Sequence, residues 1–171
     1  SLWGEKAGND FLFINGNAPG GATEERRVNA SSASGGAATD LAYRSGSSTA
    51  DAHLWYSNSE RQLPGPVTTV QQNFGERQSD RSLRSVISYS LEKEKISARI
   101  TAGGTSEVNL YYHENPEYNG DNRSSLLMLR AALAYRLNGK AEFGINAGNE
   151  YQSARSLSYP ETERRNLFST S

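Results

Sequence analysis

Residues 124–137 read SSLLMLRAALAYRL, followed by Asn138-Gly139-Lys140 and then AEFGINAGNEYQ over residues 141–152. In the first tract Leu127, Leu129, Ala131, Leu133, Tyr135 and Leu137 share one parity, while Ser124, Arg130 and Arg136 take the other. A period of two means a strand with one apolar face. The second parity also holds Leu126, Met128, Ala132 and Ala134, so the segregation is not pure. Asn-Gly is a tight hairpin signal because it supplies positive φ values at low cost. The returning strand alternates more cleanly, with Ala141, Phe143, Ile145, Ala147 and Tyr151 opposed by Glu142, Asn146, Glu150 and Gln152.

The same unit recurs upstream. Leu83, Ile87, Tyr89 and Leu91 oppose Arg84, Ser88 and Ser90. A polar link at 92–94 then leads into Ile96, Ala98, Ile100 and Ala102, opposed by Lys95, Ser97, Arg99 and Thr101. Val108, Leu110 and Tyr112 continue that parity, which predicts one strand of about 19 residues from Lys95 to His113, roughly twice what a tilted strand needs to cross a bilayer. Ala50, Ala52, Leu54 and Tyr56 mark another strand after a link at 45–48. A weaker one over Glu25–Arg44 shifts phase, which predicts a bulge at Gly35-Gly36. Phe11–Ile14 reads as a first strand, and no tract has helical spacing.

Connections near 45–48, 92–94 and 138–140 are short, whereas those near 58–82, 114–123 and 154–163 are long. Short at one end and long at the other is the pattern of an antiparallel up-and-down transmembrane β-barrel. Tyr43, Tyr89, Tyr135 and Phe143 fall near the short links, and Tyr56, Tyr112 and Tyr151 near the long ones, as two aromatic girdles on one face would. The expected fold is therefore all-β, a partial barrel of about seven to eight strands.

Composition narrows the function. The 171 residues contain no Cys, which removes disulfide scaffolds and thiolate metal sites. Lys and Arg number 18 against 19 Asp and Glu, so charge gives no reason to propose nucleic acid as a partner. Nine Tyr, five Phe and two Trp exceed what a disordered tail carries. No nucleophile elbow, P-loop or dinucleotide fingerprint occurs, which points away from an enzyme and from a bound cofactor. His53 and His113 stand apart from ligand-spaced partners and read as solvated residues, not as metal ligands. One arrangement, His53 with Asp51 and a nearby serine, keeps outer-face hydrolysis open. The chain begins at Ser1, as a processed product or a piece of a longer protein would.

After the third aromatic strand the sequence runs Tyr56-Ser57-Asn58-Ser59-Glu60-Arg61-Gln62-Leu63-Pro64-Gly65-Pro66-Val67. A strand ending in an aromatic pair and followed by Ser-Glu-Arg-x-Leu-Pro-Gly resembles the early barrel of TonB-dependent outer-membrane receptors of Bacteroidetes type. Asn109-Leu110-Tyr111-Tyr112 running into Asn115-Pro116-Glu117-Tyr118 is similar as well, as are Ala134-Tyr135-Arg136-Leu137-Asn138-Gly139 and a strand ending before Ser158-Tyr159-Pro160. The resemblance spans most of the chain from about Val28. It implies a Gram-negative outer-membrane transporter that captures a scarce nutrient and passes it to the periplasm with energy from the TonB complex. It also implies that residues 1–171 are a barrel segment without plug domain or closing strand, taken from a barrel of the order of twenty-two strands. Outer-membrane lipid, the remaining barrel and plug, and a small-molecule, peptide or glycan substrate are the expected partners. A small self-contained barrel acting as adhesin or anchor, or a soluble β-rich binding domain, are the alternatives.

On this reading Arg84, Lys95, Arg99, Arg130, Arg136, Glu142 and Glu150 point away from lipid into the lumen, where as a group they hold a plug. Glu24-Glu25-Arg26-Arg27 reads as a solvated edge. The ligand-binding candidates are Arg61, Phe74 and Arg77 in the longest loop, and Tyr111, His113 and Tyr118 around the next.

Overall fold

A computed structural model describes residues 1–67, 75–157 and 161–171. The fold is all-β: 74% of it is strand, and a single 3-10 turn at Pro116–Tyr118 is the helical element among the described residues. Ten strands form: β1 (Leu2–Ala7), β2 (Leu12–Asn15), β3 (Thr23–Arg26), β4 (Ser32–Ser45), β5 (Ser48–Gln62), β6 (Arg77–Glu92), β7 (Ile96–Tyr112), β8 (Gly120–Asn138), β9 (Ala141–Arg155) and β10 (Glu163–Thr170). Eight of them make one antiparallel sheet in the order β1-β4-β5-β6-β7-β8-β9-β10, and β2 and β3 pair only with each other. The sheet is open, with β1 and β10 at its edges.

Registers place the alternating residues on two continuous faces. Ile100 on β7 lies opposite Tyr89 on β6 and Ala131 on β8, and Leu133 lies opposite Ile145 on β9. Tyr89 meets Ala50 on β5, which meets Tyr43 on β4. These residues define the apolar face. From the short turns up to Leu54, Leu83, Leu127 and Tyr151, it carries no Asp, Glu, Lys, Arg or His on any strand from β4 to β9. The opposite face holds Arg84, Arg99, Arg130, Arg136, Glu142 and Glu150, all on the parity assigned to them, and the hollows of the curved sheet run along it.

No hydrophobic side chain is buried among the described residues; Leu129, Leu133 and Ile145 are 53%, 50% and 60% exposed. The accessible surface is 12184 Å². A compact monomer of 18.7 kDa would expose about 8,300 Å². Among the described residues, nothing is packed on the apolar layer.

All the short turns, 46–47, 93–95 and 139–140, lie at one end of the sheet. The strand ends joined through 63–76, 113–119 and 156–162, and the segment 8–31 that carries the β2–β3 ribbon, lie at the other. The loops are shorter than the sequence suggests because the strands run on into them. Polar residues such as Asn58, Glu60, Gln78 and Asp80 complete the β5–β6 ladder from Gln62↔Arg77 to Ser48↔Leu91. Polarity does not prevent pairing when backbone partners are supplied on both sides.

Several local expectations fail for identifiable reasons. Glu25–Arg44 is not one strand: Thr23–Arg26 belongs to the small ribbon and β4 begins at Ser32. Gly35-Gly36 is no bulge, since the β4–β5 register is unbroken from Ser32↔Arg61 to Ser45↔Ser48. The glycines serve close approach instead: a Cβ on Gly36 would come within 2.7 Å of the Trp3 ring, which lies across it from β1. The first strand is Leu2–Ala7, not Phe11–Ile14. Lys95 sits in the β6–β7 turn, just before the strand, with its carbonyl accepting the Arg136 N–H at 2.8 Å. The hairpin at 138–141 forms without positive φ: the Asn138 side chain accepts the N–H groups of Lys140 and Ala141 at 2.9 and 3.0 Å, closing the turn.

Candidate functional site

The polar face is cross-braced by side chains that the register sets opposite or diagonal to one another. Arg84 donates to Glu107 at 2.9 Å and lies over the Trp55 ring at 5.8 Å. Arg130 donates to Glu150 at 2.9 Å, Arg136 to Glu142 at 3.4 Å, and Arg99 to the Ser90 hydroxyl at 3.1 Å. Each ion pair is solvent-accessible, so its contribution is of the order of 0–1 kcal/mol. Their collective effect is to keep charge on this face satisfied and in fixed positions.

Nearer the loops a chain of polar groups crosses four strands. Arg61 donates to Gln78 at 2.8 Å, and Gln78 donates to Asp80 at 3.1 Å. Asn109 donates to the same Asp80 oxygen and accepts from Asn122 at 3.3 Å. Asp80, Asn109 and Asn122 escaped the sequence reading because their juxtaposition depends on the register of β6, β7 and β8.

Above this chain the loop roots are tied together. His113 Nε2 is 3.6 Å from the Glu76 carboxylate, with both side chains mostly sheltered, and its ring meets Tyr118 edge-on at 5.0 Å. Tyr111 hydrogen-bonds to Glu76 as well. The His113 backbone N–H donates to Asn119 at 2.7 Å, and its Nδ1 accepts the Asn115 N–H at 2.8 Å. Asn29 donates to the carbonyls of Leu63 and Glu76 at 2.8 and 2.9 Å, joining the 8–31 segment to the β5–β6 connection.

The proposed ligand residues thus separate. Tyr111, His113 and Tyr118 converge around Glu76, a residue that nothing in the linear spacing singled out. Arg61 lies on the polar face below them. Arg77 departs from the group: it opens β6 on the apolar parity, with its guanidinium 4.6 Å from the Tyr112 ring. Phe74 lies outside the described residues. His53 meets Asp40 across the β4–β5 pair at 2.6 Å, so Asp40 takes the position that the sequence had suggested for Asp51. No group of three or more His, Asp or Glu side chains suited to a metal ion occurs among the described residues. No family model matches the chain, and no curated protein matches its sequence.

Proposed function

We propose that this sheet is part of the wall of an outer-membrane β-barrel, with its apolar face toward lipid and its polar face toward the lumen. We propose further that it belongs to a TonB-dependent receptor that takes a scarce nutrient from the cell surface to the periplasm. The observation that carries the first part is the uncharged apolar band opposite a face of ionic ladders. On β8 the band runs from Leu137 to Leu127. At ~3.3 Å per residue that is about 33 Å along the strand, or about 25 Å of height at the usual barrel tilt, the height of a lipid-facing band.

Both unpaired edges favour additional strands, because bare backbone N–H and C=O groups cost several kcal/mol each in hydrocarbon. The receptor assignment rests on the resemblance of the Tyr56–Val67 segment and the strands after it. Arginines and carboxylates on the concave face supply contacts for a plug. The rim cluster of Tyr111, His113, Tyr118 and Glu76 lies where a surface ligand would first meet protein. An eight-stranded barrel closed by β1 and β10 is the second reading, favoured by a strand count that equals that of the smallest outer-membrane barrels. Cysteines at Trp3 and Leu167 separate the two, since a disulfide between these edges forms only in the closed barrel.

The lipid-facing assignment is tested by a pair of substitutions. Leu133→Arg is expected to cost roughly 2–4 kcal/mol of folding free energy in lipid vesicles, as for a midplane arginine. Ser88→Arg, on the polar face, is expected to cost much less. Equal losses from the two would overturn the orientation.

A further inference from the structure

Beyond the apolar band, on the loop side, the same face turns basic. Arg81 on β6 lies opposite Val108, Val108 opposite Arg123 on β8, and Arg123 opposite Arg155 on β9, so three arginines stand on one line across the sheet. Arg77 shares this face farther along β6, and Arg164 on β10 shares it opposite Ser153. All five are exposed. Two carboxylates, Asp121 and Glu60, face the same way in this zone from β5 to β10. Asp121 accepts from Arg123 at 2.8 and 3.0 Å and from Arg155 at 3.1 Å. It orients two guanidinium groups while using three of their ten N–H donors.

We propose that this arginine row docks the phosphate groups of a membrane lipid, in the leaflet from which the long loops emerge. The inference rests on the lipid-facing reading of the band. Height is the first argument. The row begins two to four residues past Leu83, Leu127 and Tyr151, about 7–13 Å along the strands and so about 5–10 Å in height at the usual tilt, at the level of a headgroup layer roughly 5–7 Å deep on each side of the hydrocarbon. Residue type is the second, since every cation on this side of the zone from β5 to β10 is arginine, with Lys6 on β1 outside it, and arginine's planar fork binds phosphate through paired N–H groups. Asymmetry is the third: the turn end of the same face has no corresponding row. A dissolved anion would meet only a convex, salt-screened surface here. A lipid phosphate is held at this height by acyl chains lying on the leucines and tyrosines below.

The test uses the protein purified from membranes in detergent, with diphosphorylated lipid A and its dephosphorylated form as probes and native mass spectrometry as readout. The diphosphorylated lipid is expected to be retained about tenfold better, and a triple Arg81→Gln, Arg123→Gln, Arg155→Gln variant to lose that preference. Lys93→Gln with Lys140→Gln, at the turn end, is expected to leave it unchanged. Equal retention of both lipids, an unaffected triple variant, or displacement by millimolar inorganic phosphate each overturns the lipid site. Absence of the protein from the membrane fraction overturns the lipid-facing reading itself, which keeps the two failures distinct.

Discussion

The turn-side and loop-side halves of β6, β8 and β9 share one backbone geometry and one unbroken face, yet differ in what that face presents. Below Leu83, Leu127 and Tyr151 the outward positions are Leu, Ile, Ala, Tyr and Phe with Ser85 and Asn149 among them, and none is charged. Above them come Arg81 directly on β6, and Ser125 then Arg123 on β8 and Ser153 then Arg155 on β9. The inward positions show no such step, since Arg130 with Glu150 and Arg84 with Glu107 keep it polar across the same heights. A change confined to one side of a continuous strand is what the proposed passage from lipid to water would produce on that side, because pairing and propensity are common to both halves.

Moving an arginine along β8 breaks this comparison most directly. Leu129→Arg is expected to destabilise the vesicle-folded protein by roughly 2–4 kcal/mol and Ser125→Arg by about 0–1 kcal/mol, read as the denaturant midpoint of folding. A flat profile would mean that the two halves share one solvent. A smaller effect is expected at the edge. Gly36→Val forces a side chain into Trp3 and the Tyr56 carbonyl, at about 1–3 kcal/mol, with faster amide exchange in β1 as the local signature.

The turns sharpen the picture at about 1 kcal/mol. Gly46 has φ +57°, so Gly46→Ala is expected to cost about 1–2 kcal/mol in thermal unfolding, as a left-handed residue with a Cβ does. Gly139→Ala is expected to be close to neutral, because its φ is not positive and a Cβ there meets nothing within 4 Å. Smallest is the Arg130–Glu150 coupling. A double-mutant cycle with Arg130→Gln and Glu150→Gln is expected to give about 0.2–1 kcal/mol, falling as salt is raised.

Legibility in the sequence followed the strength of alternation. β6 through β9 are visible because Leu83 to Tyr151 alternate for many residues, and their parities place Arg84, Arg99, Arg130 and Glu150 on one face. β1 and β10 are not visible: LWGEKA and ERRNLFST have no sustained period, and they become strands because β4 and β9 offer them backbone partners. The phase shift around Gly35-Gly36 looked like a bulge because small residues blur parity, whereas the register shows them making room for Trp3. The rim cluster was half legible. Tyr111, His113 and Tyr118 are neighbours in sequence, but Glu76 and Asn29 reach them only through the fold, and Arg77 faces the other way because one residue's offset reverses a strand side chain.

Strand length has a consequence of its own. β8 contains 19 residues, and its apolar stretch ends ten residues after it begins at the turn. With that stretch immersed, the remainder forms a stiff stalk rising roughly 20 Å above the hydrocarbon at the usual tilt. Loops carried at that elevation would present themselves clear of the lipid headgroups, where a dilute solute is met in open water and not at the crowded surface.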